Sequence, residues 1–244
     1  MEEWIQHQLL ERQRPVSHHG VMFQRWVHLL FLHWKFDPEM VQQTLPRGLT
    51  VDTYGGMAWI GIVPFCMRRV RPAVLTFRSS NFLELNLRTY VRDQNGRPGV
   101  WFYSLDANHP LAVWTARFLF GLPYQHAKMQ VERRDGEIEY SCQRRGSSTR
   151  MEYRFRPSDD LAEAKIGSLE FFLIERYRLF SVRRAQLLTG RVYHSPYQIG
   201  KAVVSNFDKY LFQLDGLQPP HGSPDSVLYS SGVDVTVYAM AVVR

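Results

Sequence analysis

Along residues 81–91, NFLELNLRTYV, the chain alternates with a period of two. Phe82, Glu84, Asn86, Arg88 and Tyr90 share one face, and Leu83, Leu85, Leu87, Thr89 and Val91 share the other. This period is the signature of a strand with one apolar and one polar side. Asn95-Gly96 and Pro98-Gly99 supply turn chemistry, and residues 100–105 are β-branched and aromatic enough for the returning strand. Asp106 or Asn108 is expected to cap a helix opened by Pro110, with Gly121 and Pro123 as its stop. A third strand over 124–131 follows. The chain is organised around this hairpin, helix and strand, whose polar side chains are placed to line a cavity.

The rest of the pattern is mostly short strands. Residues 1–16 read as an N-terminal helix or arm with Trp4, Ile5, Leu9 and Leu10 as its apolar side. Residues 25–36 read as a strand with His28 and His33 on opposite faces, so they form no metal pair and are expected to be structural. Asp37-Pro38-Glu39 starts a short helix. Residues 49–54, Gly55-Gly56 and 57–63 read as strand, turn and strand. Residues 68–80, with Arg69, Arg71 and Arg78, read as a surface loop. A hairpin is expected around Asp135-Gly136, a strand over 151–156, and a helix capped by Ser168, for which a strand is the alternative. Residues 186–194 read as a hairpin turning at Thr189-Gly190, 197–214 fits strand or helix, and 226–243 reads as two strands parted at Ser231-Gly232. No repeat or linker divides the chain. The pattern predicts one α+β domain, mainly antiparallel sheet with a few short helices.

Composition narrows the class. An apolar fraction of 45% with 14% aromatics is enough for a real core and excludes disorder. Two cysteines, Cys66 and Cys142, make no disulfide framework and suit buried thiols in a reducing compartment. No signal peptide is read, and no apolar run approaches the ~20 residues of a bilayer span. The expectation is a cytoplasmic protein without a membrane partner. A net charge of +7 raises nucleic-acid binding. The arginines, however, are scattered in small pairs (Arg68-Arg69, Arg133-Arg134, Arg144-Arg145, Arg183-Arg184) and form no dense stripe. That dispersal argues against nucleic acid. A homo-oligomer is compatible with everything above.

Phosphate-cradling glycine loops, HExxH, paired CxxC and GxSxG are absent, so neither a metal nor a cofactor is expected. His18-His19 reads as an exposed pair. What remains is the polar face of the organising strand. Glu84, Asn86 and Arg88 recur at ~7 Å spacing along it. A solvated sheet face is the bland alternative, but closing the sheet into a barrel would bury both faces and leave the polar one around a lumen. Arg117 lies in the otherwise apolar LAVWTARFLF, where it snorkels to water or pairs with a buried carboxylate, Glu84 being the nearest candidate. Tyr124, His126 and Lys128 share a strand face that offers acid, base and cation, with a half-exposed strand edge as the alternative. The expected pocket is therefore built from Glu84, Asn86, Arg88, Arg117, Tyr124 and His126, around a small-molecule ligand.

The segments HLLFLHW, LPRGLTVDTYGGMAWIGIVPF, NFLELNLRTYV, GVWFYSLDA, ARFLFGLPYQHAKM and FLIERYRLF, in this order, resemble the YqjF-like bacterial proteins, a domain of unknown function. That group is similar to acetoacetate decarboxylase, which implies a single-domain, cone-like β-barrel with a closed cavity. The resemblance aligns Glu84, Arg117 and Pro123 with a glutamate, an arginine and a proline of the decarboxylase. The Schiff-base lysine, however, falls on Tyr124 and its lysine neighbour on Gln125, and a second acidic position falls near Trp59 or Ile60. That enzyme works because a second cation depresses the pKa of the nucleophilic lysine. Tyrosine and glutamine form no imine, and Lys128 lies ~13 Å along the strand. The resemblance thus implies the decarboxylase fold and withholds its reaction.

Overall fold

The computed structural model describes residues 3–15, 19–74 and 79–243. Helix α1 (Glu3–Glu11) precedes strand β1 (Met22–Phe36), helix α2 (Pro38–Gln42), β2 (Leu49–Val51) and β3 (Ala58–Pro72). The organising stretch supplies β4 (Ser80–Asp93), β5 (Pro98–Ala107), α3 (Pro110–Phe120) and β6 (Tyr124–Arg134). Next come β7 (Glu137–Arg144), β8 (Met151–Pro157), β9 (Ala162–Glu163), α4 (Leu169–Ile174), β10 (Arg178–Arg183) and β11 (Gln186–Tyr193). The chain ends with β12 (Gln198–Gly200), β13 (Ala202–Asn206), α5 (Tyr210–Leu214), β14 (Ser226–Val237) and β15 (Ala241–Val242).

The protein is mostly β-sheet with few helices. Hydrogen bonds run from β5 through β10, β11, β14, β1 and β3 to β4, and β4 pairs back onto β5. From β5 the sheet continues through β6, β7 and β8 to β13. Most ladders are antiparallel; β5 is the exception, lying parallel to both β10 and β6.

The alternation read from β4 is the alternation of two cores. Phe82 and Tyr90 belong to a cluster with Leu29, Val63, Phe65, Phe102 and Val192. Leu83, Leu85 and Leu87 belong to a second cluster with Ile60, Ile62, Met129, Tyr153 and Phe212. Strands β1 and β3 divide the same way: Leu29 and Phe31 face the first core, Leu30, Leu32 and Trp34 the second. Both faces of these strands are covered, which is why their sequence is nearly continuously apolar.

Several local expectations change. The cap of α3 is neither Asp106 nor Asn108 but His109, whose Nδ1 accepts from the Ala112 amide at 3.2 Å. Asn108 instead accepts from the Leu83 amide at 2.8 Å, and Asp106 pairs with Arg144. Residues 186–194 are not a hairpin. The turn lies earlier, at Arg184 and Ala185, both with positive φ, and β11 runs straight through Thr189-Gly190. Ser231-Gly232 is not a break either. Gly232 sits inside β14 at φ 143°, where a Cβ would lie 2.2 Å from the Trp26 carbonyl oxygen, so glycine lets β14 close onto β1. The expected loop over 68–80 is shorter, because β3 and β4 reach into it from both sides; Arg78 lies outside the described residues, as does His18. Ser168 caps α4 as expected, and 197–214 resolves into two short strands and α5.

Candidate functional site

Strand β4 carries the polar groups because its period of two turns every second side chain toward the first core. There Glu84, Asn86 and Arg88 line a cavity of about 550 Å³. Its other walls are mainly apolar, including Trp26 and Leu29 of β1, Val63 and Phe65 of β3, Phe102 of β5 and Val192 of β11, with Gln24, Tyr197 and three further arginines among them. Helix α3 borders it with Ala112, Thr115 and Ala116, and Tyr124 closes one side at the start of β6.

Tyr124 Oη donates to Glu84 Oε2 at 2.5 Å, and Glu84 is 3% exposed. Burial disfavours the carboxylate and raises the Glu84 pKa to about 7, although hydrogen bonds from Tyr124 and Asn86 and the charge of Arg88 pull it down. Burial, then the neighbouring Glu84 charge, pushes the Tyr124 phenol well above its ordinary value, so it stays a neutral donor. Asn86 is buried, and its Oδ1 has no hydrogen-bond partner. Arg88 stacks over the rings of Phe31 and Tyr90, and its Nε is buried and unpaired. Behind it, Tyr90 Oη lies 2.6 Å from His33 Nε2, and burial reinforced by Arg88 lowers the His33 pKa well below 6.5. His33 is thus a neutral structural group, as is His28 beside Tyr229.

Four arginines line the cavity, and three are already held in ion pairs. Arg176 pairs with Asp52 at 2.7 Å; Arg178 and Arg191 pair with Glu11 at 2.7 and 3.2 Å. Arg88 has no carboxylate within salt-bridge distance among the described residues. The site therefore combines one uncompensated cation, a carboxyl poised between its two forms at neutral pH, a neutral phenol and an open amide oxygen. Such a set suits an anion beside a group that gains or loses a proton.

Of the six expected residues, Glu84, Asn86, Arg88 and Tyr124 meet in this cavity, and two do not. Arg117 is exposed: it donates to the Tyr124 carbonyl oxygen and to Gln125 Oε1 at 2.8 Å, so it takes the snorkelling course and does not pair with Glu84. It faces water because the inner face of α3 is taken by small residues, Ala112 and Ala116. His126 is half-buried and outside the cavity lining, since β6 leaves the wall after Tyr124 to pair with β7. Lys128, farther along, is exposed. None of the five lysines lines the cavity. Residues missed from sequence include Trp26: β1 is irregular between Val27 and Leu32, with His28 at φ 55°, so simple alternation from Leu29 and Phe31 puts Trp26 on the wrong face. Tyr197, Arg176 and Arg178 follow irregular turns, where no periodicity marks an inward position. Among the described residues no cluster of His, Cys, Asp or Glu could hold a metal ion. Cys66 and Cys142 are free and buried.

This architecture defines the class, an acetoacetate decarboxylase-like fold. The acetoacetate decarboxylase of Legionella pneumophila superposes with TM-score 0.63 at 14% identity, over 95% of this chain and 91% of that one. The enduracididine biosynthesis enzyme MppR, in complex with pyruvate, superposes with TM-score 0.65 at 13% identity, over 93% and 91%. At such identity the likeness is one of fold. Residues 23–234 match DUF2071, an uncharacterized conserved protein family, and the chain belongs to it. Within reach by sequence is the uncharacterized protein YqjF of Bacillus subtilis (strain 168), 35% identical over 207 residues that cover 84% of this chain and 85% of YqjF.

Proposed function

We propose that this is a cytoplasmic single-domain protein whose sheet closes into a cone-like barrel and binds a small carbonyl- or carboxylate-bearing molecule in its lumen, without Schiff-base chemistry. The cycle of strand pairings through β5, β10, β11, β14, β1, β3 and β4 supports the barrel. The observation that carries the binding reading is the convergence of Arg88, Asn86 and the Glu84–Tyr124 hydrogen bond on one apolar-walled cavity. Arg88 would hold the anionic group, Tyr124 would donate to a carbonyl or carboxylate oxygen, and Glu84 would serve as general base or orient charge. MppR with bound pyruvate is a fold neighbour holding a ligand of this chemical kind. A noncatalytic carrier is the second reading, favoured by a lining without lysine or cysteine. Imine formation needs an unprotonated lysine, and an ordinary lysine titrates near ~10.4. Borohydride in the presence of acetoacetate should leave the protein mass unchanged; a stable adduct on Lys128 would restore the decarboxylase reaction. Native mass spectrometry of the purified protein should show a retained small acid or carbonyl compound, lost on Arg88→Gln.

A further inference from the structure

Resting on the binding role proposed for this cavity, we infer that its ligand is an apolar monocarboxylate that carries a hydroxyl close to its charged end. Volume is the first argument. About 550 Å³ lies within the range that encloses drug-sized molecules. A short keto acid would leave most of that space without contacts, and lining atoms that face a void lose their dispersion partners. The larger, apolar part of the wall says what fills it: Trp26, Leu29, Val63, Phe65, Phe102 and Val192 offer no hydrogen-bonding side chain except the Trp26 indole, whose Nε1 already donates to Gln24 Oε1 at 2.8 Å. The body of the ligand is therefore hydrocarbon, aliphatic or aromatic.

Charge counting sets the head group. Arg176 shares Asp52 with Arg92, and Arg178 and Arg191 share Glu11, which leaves Arg88 as the one lining arginine without a carboxylate partner among the described residues. A ligand carboxylate supplies that partner, and a neutral amphiphile would leave Arg88 without one. A second anionic group farther along the ligand would face the apolar part of the wall. Planar guanidinium geometry favours a carboxylate.

The hydroxyl follows from Asn86. It is 3% exposed, it faces the same cavity, and its Oδ1 has no partner. A buried acceptor left open costs about 1–3 kcal/mol relative to a satisfied one, so the ligand is expected to bring a donor. Asn86 precedes Arg88 on the same strand face by ~7 Å, within the span of a carboxylate and a hydroxyl one or two carbons away. Glu84, the next position on that face, lies beyond Asn86 and next to the hydroxyl, where its carboxyl can share a hydrogen bond with it.

Calorimetric titration of the unmodified protein tests the size argument without any variant. With 3-hydroxybutyrate, 3-hydroxyhexanoate and 3-hydroxydecanoate, affinity should rise about fourfold per methylene. Decanoate should bind on the order of fivefold more weakly than 3-hydroxydecanoate, and 1-decanol more weakly again by tenfold or more. In Asn86→Ala the gap between hydroxydecanoate and decanoate should close, and in Arg88→Gln the preference for acid over alcohol should vanish. An affinity independent of chain length, with the short acids still binding, would overturn the inference and leave the cavity reading standing. Equal binding of 1-decanol and decanoate would overturn the charge argument. Failure of every acid, short and long, to bind would overturn both.

Discussion

At the scale of single residues, Glu84 is the group whose behaviour should report most directly on the site. An ordinary glutamate titrates near 4.5, and burial raises Glu84 to about 7. The folded protein thus holds this proton more tightly than the unfolded chain. The stabilisation from a neutral carboxyl is complete below about 4.5 and declines as pH rises to about 7, by up to about 3 kcal/mol. Glu84→Gln removes the titration while keeping an acceptor for Tyr124. Its stability relative to the unmodified protein should therefore rise between pH 4.5 and 8 by that order, read from urea melts. A difference that does not change with pH would refute the picture of a buried, nearly neutral carboxyl. Glu84 was legible because period-two alternation places it beside Asn86 and Arg88. Arg117 was misplaced because a helix face has no such binary choice, and small neighbours on α3 left the inner side full.

At the scale of elements, β4 separates two chemistries one residue apart. Leu85 is fully buried in the second core with Leu83 and Leu87, so Leu85→Ala should cost about 2–5 kcal/mol of stability. Asn86→Ala, on the other face, should cost much less and act on binding. Equilibrium denaturation of both variants checks the contrast; similar losses would mean that the polar face is also structural. The Gly232 position carries a second prediction. With φ 143° and a Cβ position 2.2 Å from the Trp26 carbonyl oxygen, Gly232→Ala forces β14 off β1. A loss of about 2 kcal/mol or more is expected, visible as a lower thermal midpoint. Glycine next to serine looks like a turn in a sequence, and only the neighbouring strand reveals a close approach.

At the scale of the whole molecule, the same strands serve both cores. Leu29 and Phe31 of β1 pack in one, Leu30 and Leu32 in the other, and the cavity lining runs from Met22 to Met240. Neither core can be lost while the other keeps its strands. Calorimetric unfolding should therefore show one transition, with calorimetric and van't Hoff enthalpies in agreement. Two separated transitions would divide the chain into independent units. No helix among the described residues is long and apolar enough to cross a membrane, so none of the apolar surface described belongs to a spanning helix.

Local pattern alone determined that the chain is strand-rich and that β4 has a polar face. These are properties of near neighbours, and a period of two is visible without long-range information. That Tyr124 and Gln125 fall where acetoacetate decarboxylase carries lysines is what the sequence resemblance implies. Tertiary structure alone decided which arginine stays uncompensated. Asp52 reaches Arg176 across 124 positions, and Glu11 reaches Arg178 across 167. Such pairings depend on which strands meet, and that is set by burying the two faces of β1, β3 and β4, not by spacing along the chain. The same long-range closure turned Arg117 outward and ended the cavity wall at Tyr124, so that four of the six expected residues share a site and His126 does not.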